Sequence, residues 1–535
     1  MAPEVKGGGN VEKEENLNVF ASKHEPYWLS SIKREEHPGL SEDIYVDVAI
    51  VGGGITGITT GFLLKKAGLK VAVLEANRLF SGTTGHTTAK LTSQHGLIYD
   101  RLIATFGEER AKQYAVANEE AIGFVEALVR EKNIDCNFET LPAYIYTEDE
   151  RYIERIKREV AAAETLGLSA SFAEDLPLPF TVRGAVKFEG QAQFHPLKYL
   201  SALAREIPGD GSFIFENTLA VDVEDAKRPV VVTKDGPKVT ASFVVIASHF
   251  PFYDGLGLYF TKIYTDRSYV IAIEAEESLG EGVFLSAETP VRSLRNIKDG
   301  RSELIIIGGE NHKTGDQTGT NVHYRNLADF AKINFTVKKI HYRWSTQDCM
   351  TADGVPYIGF LTAKTPTILV ATGYNKWGMT SGTAAARILS DLITKGESPH
   401  ADVFSPQRLH LAAAPSLVVQ NLDVARKLIS GKLSGGAKEE DLKNGEAKVI
   451  TAYGQKAGAY RDHEGTLHVL DITCTHLGCE LVWNDAELTW DCPCHGSRFS
   501  YTGDVVEGPA LRPLKRLEGD DGASDEKNII DPKLT

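Results

Sequence analysis

Six cysteines in 535 residues are too few to staple a chain of this length, and four of them crowd into its last quarter. That distribution excludes a disulfide scaffold and points to a cofactor-bearing segment. Cys136 and Cys349 stand alone and read as buried, inert thiols. No apolar run reaches the roughly 18 residues a membrane helix requires. The N-terminus, MAPEVKGGGNVEKEENLNVF, lacks the apolar core of a secretory signal. Positive charge is in deficit: 58 lysines and arginines face 73 aspartates and glutamates, a net charge of −15. That balance argues against nucleic acid or an anionic membrane surface as partner. The expectation is a cytoplasmic protein with no transmembrane segment. No internal repeat is present, and no Ser-His-Asp or paired-carboxylate arrangement stands out. A chain this long exceeds one ordinary core, so two or three domains are expected.

The crowded cysteines read CTHLGCELVWNDAELTWDCPCHGS, from Cys474 to Ser497. Cys474-x-His476 and Cys492-x-x-His495 stand fifteen residues apart, and each half offers one thiolate and one imidazole. Such a set suits tetrahedral zinc. It equally suits a [2Fe–2S] centre with two cysteines on one iron and two histidines on the other. A zinc ribbon usually draws a Cys-x-x-Cys knuckle from each half, and neither half has one.

The strings C-T-H-L-G-C and C-P-C-H-G-S resemble the cluster loops of Rieske proteins from respiratory and photosynthetic cytochrome complexes. The resemblance implies that Cys474 and Cys492 hold one iron, and His476 and His495 the other. It implies a disulfide between Cys479 and Cys494 and a Ser497 hydroxyl bonded to a cluster sulfur. Phe499 stands where high-potential members carry tyrosine, and the missing donor implies a lower reduction potential. Gly508 to Leu514, GPALRPL, resembles the proline loop that covers the cluster.

At the other end, Asp47 to Glu75 reads DVAIVGGGITGITTGFLLKKAGLKVAVLE. A buried strand runs into Gly52-x-Gly54-x-x-Gly57, a helix through Lys66, and a second strand ending in Glu75. This is the dinucleotide-binding arrangement. Gly52 permits the turn, Gly54 admits the pyrophosphate, and Gly57 lets helix pack on strand. Ile55 and Thr56 open the helix whose N-terminus faces the phosphates. Glu75 takes the adenosine ribose hydroxyls.

Further motifs resemble the FAD-dependent glycine oxidase, sarcosine oxidase and D-amino-acid oxidase superfamily, over about residues 43–396. They are SFVVIAS, WSTQDCMTADGVPYIG and TILVATGYNKWGMTSGTAAARILSDLI. The resemblance makes FAD the dinucleotide. It places Ala247, Gly373, Lys376, Trp377, Gly378 and Thr380 at the cofactor, with the last helix N-terminus at the flavin pyrimidine edge. It runs ANRLFSGTTGHTTAKLTSQHG along the flavin, through Ala76, Arg78, Thr83, Thr84 and Ala89. SGTTGHT resembles the flavin-attachment segment of dimethylglycine and sarcosine dehydrogenases. That resemblance makes His86 the covalently linked residue, whereas glycine at Gly85 in place of tryptophan and an extra residue before Leu91 favour His86 beside the flavin without a bond. RSLRNIKDGRSELIIIGG resembles the segment whose arginine binds a substrate carboxylate, with Arg295 the best match and Arg292 the second.

The expected organisation is an arm over 1–42, a flavoprotein unit over 43–429, a linker over 430–447, a Rieske domain over 448–520 and a tail over 521–535. The fold class is an α/β FAD-binding, Rossmann-like domain with an interleaved α+β substrate domain, plus a C-terminal all-β Rieske [2Fe–2S] domain. Between the cofactor segments, Ala121, Val125 and Leu128 mark an apolar helix face, and residues 255–345 alternate like strands. The whole chain resembles Rieske-containing FAD-dependent oxidoreductases. That implies oxidation of a small amine or amino acid, with electrons passing from FAD to the cluster and on to a one-electron acceptor, protein or quinone. The alternatives are an oxygen-using flavin enzyme fed by the cluster, and a redox sensor with little turnover.

Overall fold

The computed structural model describes residues 17–300, 302–408, 424 and 442–517. A six-stranded sheet is built on Val48–Val51. Val71–Leu74 and Phe213–Phe215 lie on one side of it, Phe243–Ile246 and Ile368–Thr372 on the other, all parallel. Tyr357–Phe360 closes one edge antiparallel. Unbroken apolar runs suit strands covered on both faces. Val48 and Ile50 share a core with Ile58 and Ile388, from helices Ile55–Lys66 and Gly378–Lys395. Ala49 and Val51 pack instead with Val223, Val231 and Val239 of a small four-stranded sheet.

A second, ten-stranded sheet carries the long antiparallel pair Ile263–Ala275 and Val337–Thr351. Ser302–Lys313, Arg292–Asp299, Val283–Ser286, Glu139–Thr147, Gly184–Gln193 and Lys90–Leu91 follow in that order. The strand character expected over 255–345 is interrupted by helix Asn321–Asn334. Helix Glu108–Glu131 buries Ala121, Val125 and Leu128, as their spacing predicts. Residues 17–42, expected as a polar arm, are tied down. Tyr27 and Trp28 are buried in the main core, and Lys23–His24 adds a parallel edge strand beside Tyr342 and Arg343.

Residues 447–507 form two small antiparallel sheets. Ala447–Ala452, Gln455–Arg461 and Leu467–Leu470 make one. Val482–Asn484, Thr489–Asp491, Arg498–Ser500 and Val505–Glu507 make the other. Of the expected linker, 430–441 lie outside the described residues, as does the tail. Among the described residues no helix is long and apolar enough to cross a membrane.

This C-terminal module is docked tightly on the large sheet. Arg267, in strand Ile263–Ala275, has a side chain only 1% exposed. Its Nη2 donates to Glu507 Oε2 at 3.0 Å and its Nη1 to Ser345 Oγ at 2.6 Å. Arg498 donates to the same Glu507 oxygen at 2.9 Å and to Asp491 Oδ1 at 3.2 Å. Asp485 accepts from Asn321 N and Nδ2, so its carboxylate meets the positive end of helix Asn321–Asn334. Ala486 is buried with Tyr324 and Leu327. Gly496 has φ +77°, and a Cβ there would stand 2.1 Å from Thr265 Oγ1, so the backbone itself presses on the sheet.

Removing one partner of a buried pair leaves the other charge uncompensated. Arg267→Met strips Glu507 of one of two cations and should cost about 3 kcal/mol. The expected result is an earlier thermal transition, led by the C-terminal module. An unchanged melting curve would sink this account of the seam.

Candidate functional site

A cavity of about 860 Å³ lies between the C-terminal ends of the parallel strands and the large sheet. Ligands of open α/β sheets bind at such strand ends. Gly52 has φ +116°, and a Cβ there would lie 2.4 Å from Ala247 O; at Gly57 it would lie 1.8 Å from Gly52 O. The turn and the helix packing therefore both require glycine. Gly54 caps helix Ile55–Lys66, and Gly52, Gly54, Ile55 and Thr56 line the cavity. The helix start brings positive partial charge to the cavity wall, as a pyrophosphate needs. Thr84 Oγ1 accepts Ile55 N at 3.1 Å, and Thr56 Oγ1 lies 2.7 Å from Tyr374 OH. Glu75 accepts the Gly53 and Asn77 amides at 2.7 and 3.0 Å, which pins its carboxylate at the strand end. Burial raises its pKa.

Ala76, Thr83, His86 and Ala247 continue the same wall. His86 Nδ1 lies 2.9 Å from Gly82 O, and burial lowers its pKa. At the other end stand Lys376, Trp377 and Gly378, where helix Gly378–Lys395 begins. Lys376 Nζ is 3.6 Å from Asp266 and 3.5 Å from Asp348.

Five expected cofactor residues stand behind this wall and shape it. Gly57 supports the helix packing. Arg78 pairs with Glu216 at 2.6 Å. Ala89 and Gly373 hold positive φ of 57° and 74°. Thr380 Oγ1 accepts Thr92 N at 2.9 Å.

Arg295 is the residue expected at a substrate carboxylate. It is 3% exposed and lies outside the cavity lining. Its Nη1 donates to Thr88 O, Ala89 O and Phe194 O at 3.1, 2.5 and 3.4 Å, and its guanidinium lies 5.3 Å from the Trp28 ring. Nη1 is occupied by backbone carbonyls, and Arg295 borders a separate small pocket with Trp28 and His195. Arg292 is occupied too, by Glu310 at 2.6 Å. The residue missed is Lys90, a buried amine in the cavity wall that touches Ser293 Oγ. Burial, with Arg295 close behind, lowers its pKa to about 7. Its signal in the sequence is faint: one cation inside a run of small and hydroxyl residues.

The two metal loops have matching geometry. Gly478 N donates to Cys474 O at 2.9 Å, and Gly496 N to Cys492 O at 3.0 Å. Cys479 and Cys494 are bonded to each other, while Cys474 and Cys492 are free and buried. The His476 and His495 rings stand 5.0 Å apart, and both Nδ1 atoms are buried without a hydrogen-bond partner. Two such orphaned nitrogens beside two free thiols are what a two-cysteine, two-histidine centre would satisfy. Ser497 Oγ accepts Ala510 N at 3.0 Å, which leaves its hydroxyl hydrogen for Cys474.

The cavity and the metal loops share a wall. Pro509, Ala510 and Leu511 line the large cavity and also a smaller one, of about 220 Å³, against His476. Gly496 O accepts Gln347 Nε2 at 2.9 Å, and Gln347 O accepts Thr83 Oγ1 at 3.1 Å.

Phe499 is fully buried in the core that contains all four module cysteines. Phe499→Tyr should raise the cluster midpoint potential in protein-film voltammetry, because a donor near sulfur favours the reduced state. An unchanged or lower potential would show that position 499 does not tune the centre. The purified protein should also carry about two irons and two sulfides per chain; one zinc and no sulfide would exclude the centre.

A family model described as FAD dependent oxidoreductase, DAO, matches residues 47–392, and one described as Rieske [2Fe-2S] domain matches 436–518. The Rieske 2Fe-2S iron-sulfur protein YhfW of Bacillus subtilis (strain 168) is 46% identical over 507 residues, 94% of this chain and 100% of that protein. Gamma-glutamylputrescine oxidoreductase of Escherichia coli (strain K12) is 23% identical, over 71% of this chain and 90% of that protein. The crystal structure of glycine oxidase from Geobacillus kaustophilus shares the fold with a TM-score of 0.58 at 21% identity, over 68% of this chain and 99% of that one. The chain belongs to the FAD-dependent oxidoreductase (DAO) family and carries a C-terminal Rieske [2Fe–2S] domain.

Proposed function

We propose that the chain oxidises a small amine or amino acid, and that electrons leave the flavin through the cluster to a one-electron acceptor. Flavin chemistry removes two electrons from the carbon beside nitrogen, and a Rieske centre carries one at a time. The observation that carries the reading is the shared wall. Loop residues Pro509–Leu511 border the cavity assigned to FAD and also the pocket at His476.

In this reading Cys474, His476, Cys492 and His495 hold the cluster, and the Cys479–Cys494 bond braces their loops. Gly52, Gly54, Ile55 and Thr56 receive the pyrophosphate, and Glu75 meets the ribose. His86, Trp377 and Gly378 face the flavin. The substrate side falls to residues of the large sheet, including Tyr269, Leu285, Ser293 and Asn311. They hold the reacting carbon in place and exclude water, which suits a reaction in which positioning dominates. The boundaries in this reading are a flavoprotein unit over 43–429, a linker over 430–447 and a cluster domain over 448–520.

His476→Cys should disrupt the cluster and leave the flavin site intact. Anaerobic substrate should still bleach the flavin in a single turnover at a near-normal rate. Steady-state turnover with a one-electron acceptor should fall to background. Normal turnover of the cluster-less protein with such an acceptor would refute the route.

A further inference from the structure

The cavity wall contains several ionisable groups, and nearly all are already answered. Asp348 faces Lys376, Glu507 faces Arg267 and Arg498, and Glu487 accepts from Tyr324. Glu75 is held by two backbone amides. Lys90 differs. Its hydrogen-bond partner is a neutral hydroxyl, Ser293 Oγ, and among the described residues no carboxylate forms an ion pair with it. Strand Arg292–Asp299 grips the segment before it: Ser293 holds Lys90, and two residues on Arg295 binds the Thr88 and Ala89 carbonyls. A second cation is thus fixed behind the amine. An ammonium buried here loses hydration and meets a like charge.

We propose that Lys90 is the proton acceptor for the substrate's ammonium group. The step balances without an oxidant: the substrate N–H bond breaks, a new N–H forms on Lys90 Nζ, and the substrate nitrogen regains its lone pair. A free lone pair is what loss of hydride from the adjoining carbon requires. Ser293 orients the lysine, and Arg295 keeps it neutral while resting. The inference relies on the amine-oxidation reading above. It gives Arg295 a positioning role in place of carboxylate binding.

The test uses the holoenzyme and two readouts. Trace acetic anhydride labelling across pH, followed by peptide mass spectrometry, measures the ionisation of Lys90 directly. Its labelling should rise through a midpoint near 7, far below that of exposed lysines. Anaerobic mixing with a panel of primary and secondary amines measures flavin bleaching, which should rise through the same midpoint. Lys90→Met, checked for normal flavin and cluster spectra, should slow bleaching at neutral pH by about 100-fold. Its profile should then follow the ionisation of the amine itself. A labelling midpoint like that of ordinary lysines overturns the proposal. So does a profile that moves with His249→Gln, on another part of the wall, and not with Lys90→Met. Failure of every amine to bleach the wild-type flavin overturns the amine-oxidation reading, and this proposal with it.

Discussion

A guanidinium buried in a sheet cannot be left unpaired, and Arg267 obtains its carboxylate from the other module. Its side chain is 1% exposed in the middle of the large sheet, and Glu507 comes from strand Val505–Glu507 of the cluster domain. The desolvation of such a cation costs several kcal/mol unless a counter-charge and further hydrogen bonds answer it. Ser345 and Glu507 do so together. The flavoprotein fold is therefore electrostatically incomplete without the Rieske domain. The same carboxylate holds Arg498, which in turn fixes Asp491 in the strand that leads into Cys492. One ionic chain thus runs from the substrate-domain sheet to the base of a cluster loop.

That seam sets where the two cofactor sites can lie. Glu507 closes the ionic chain, and just beyond it Pro509, Ala510 and Leu511 form the wall common to both cavities. Gly496, whose carbonyl accepts from Gln347, belongs to the loop of Cys492 and His495. A side chain at Gly496 would collide with Thr265. The glycine that shapes the loop around metal is also the one that allows the loop to touch the sheet. On the opposite side of the cavity, Ser293 and Arg295 hold Lys90 and the carbonyls before it. The segment expected along the flavin is thus held from the large sheet.

What could be read from the sequence was what neighbouring residues encode. The glycine spacing from Gly52 to Gly57 describes a local turn, and the structure builds it between buried strands as expected. The Cys-x-His and Cys-x-Cys-His strings describe two loops, and the structure brings them together. Partners far apart in the chain left no such trace. Arg295 matched a substrate-binding pattern, yet its guanidinium finds carbonyls more than a hundred residues away. Arg78 likewise turns to Glu216. The polar composition of the N-terminal arm hid Tyr27 and Trp28, whose burial needs only two side chains. The docking of the modules was invisible for the same reason: a buried ion pair between residues 267 and 507 has no periodicity.

The ionic character of the seam also explains why the two units share one chain. Buried charge pairs give geometry and specificity, but their desolvation cancels much of their attraction. Tethering changes the arithmetic, because two units on one chain meet at an effective concentration set by the chain and not by the solution. A polar, charge-matched seam then suffices, and an extensive apolar one is unnecessary. The Asp485 carboxylate at the start of helix Asn321–Asn334 fits that logic, since it contributes orientation more than affinity. The covalent link supplies the association, and the buried charges supply the register that gives the two cofactor sites a common wall.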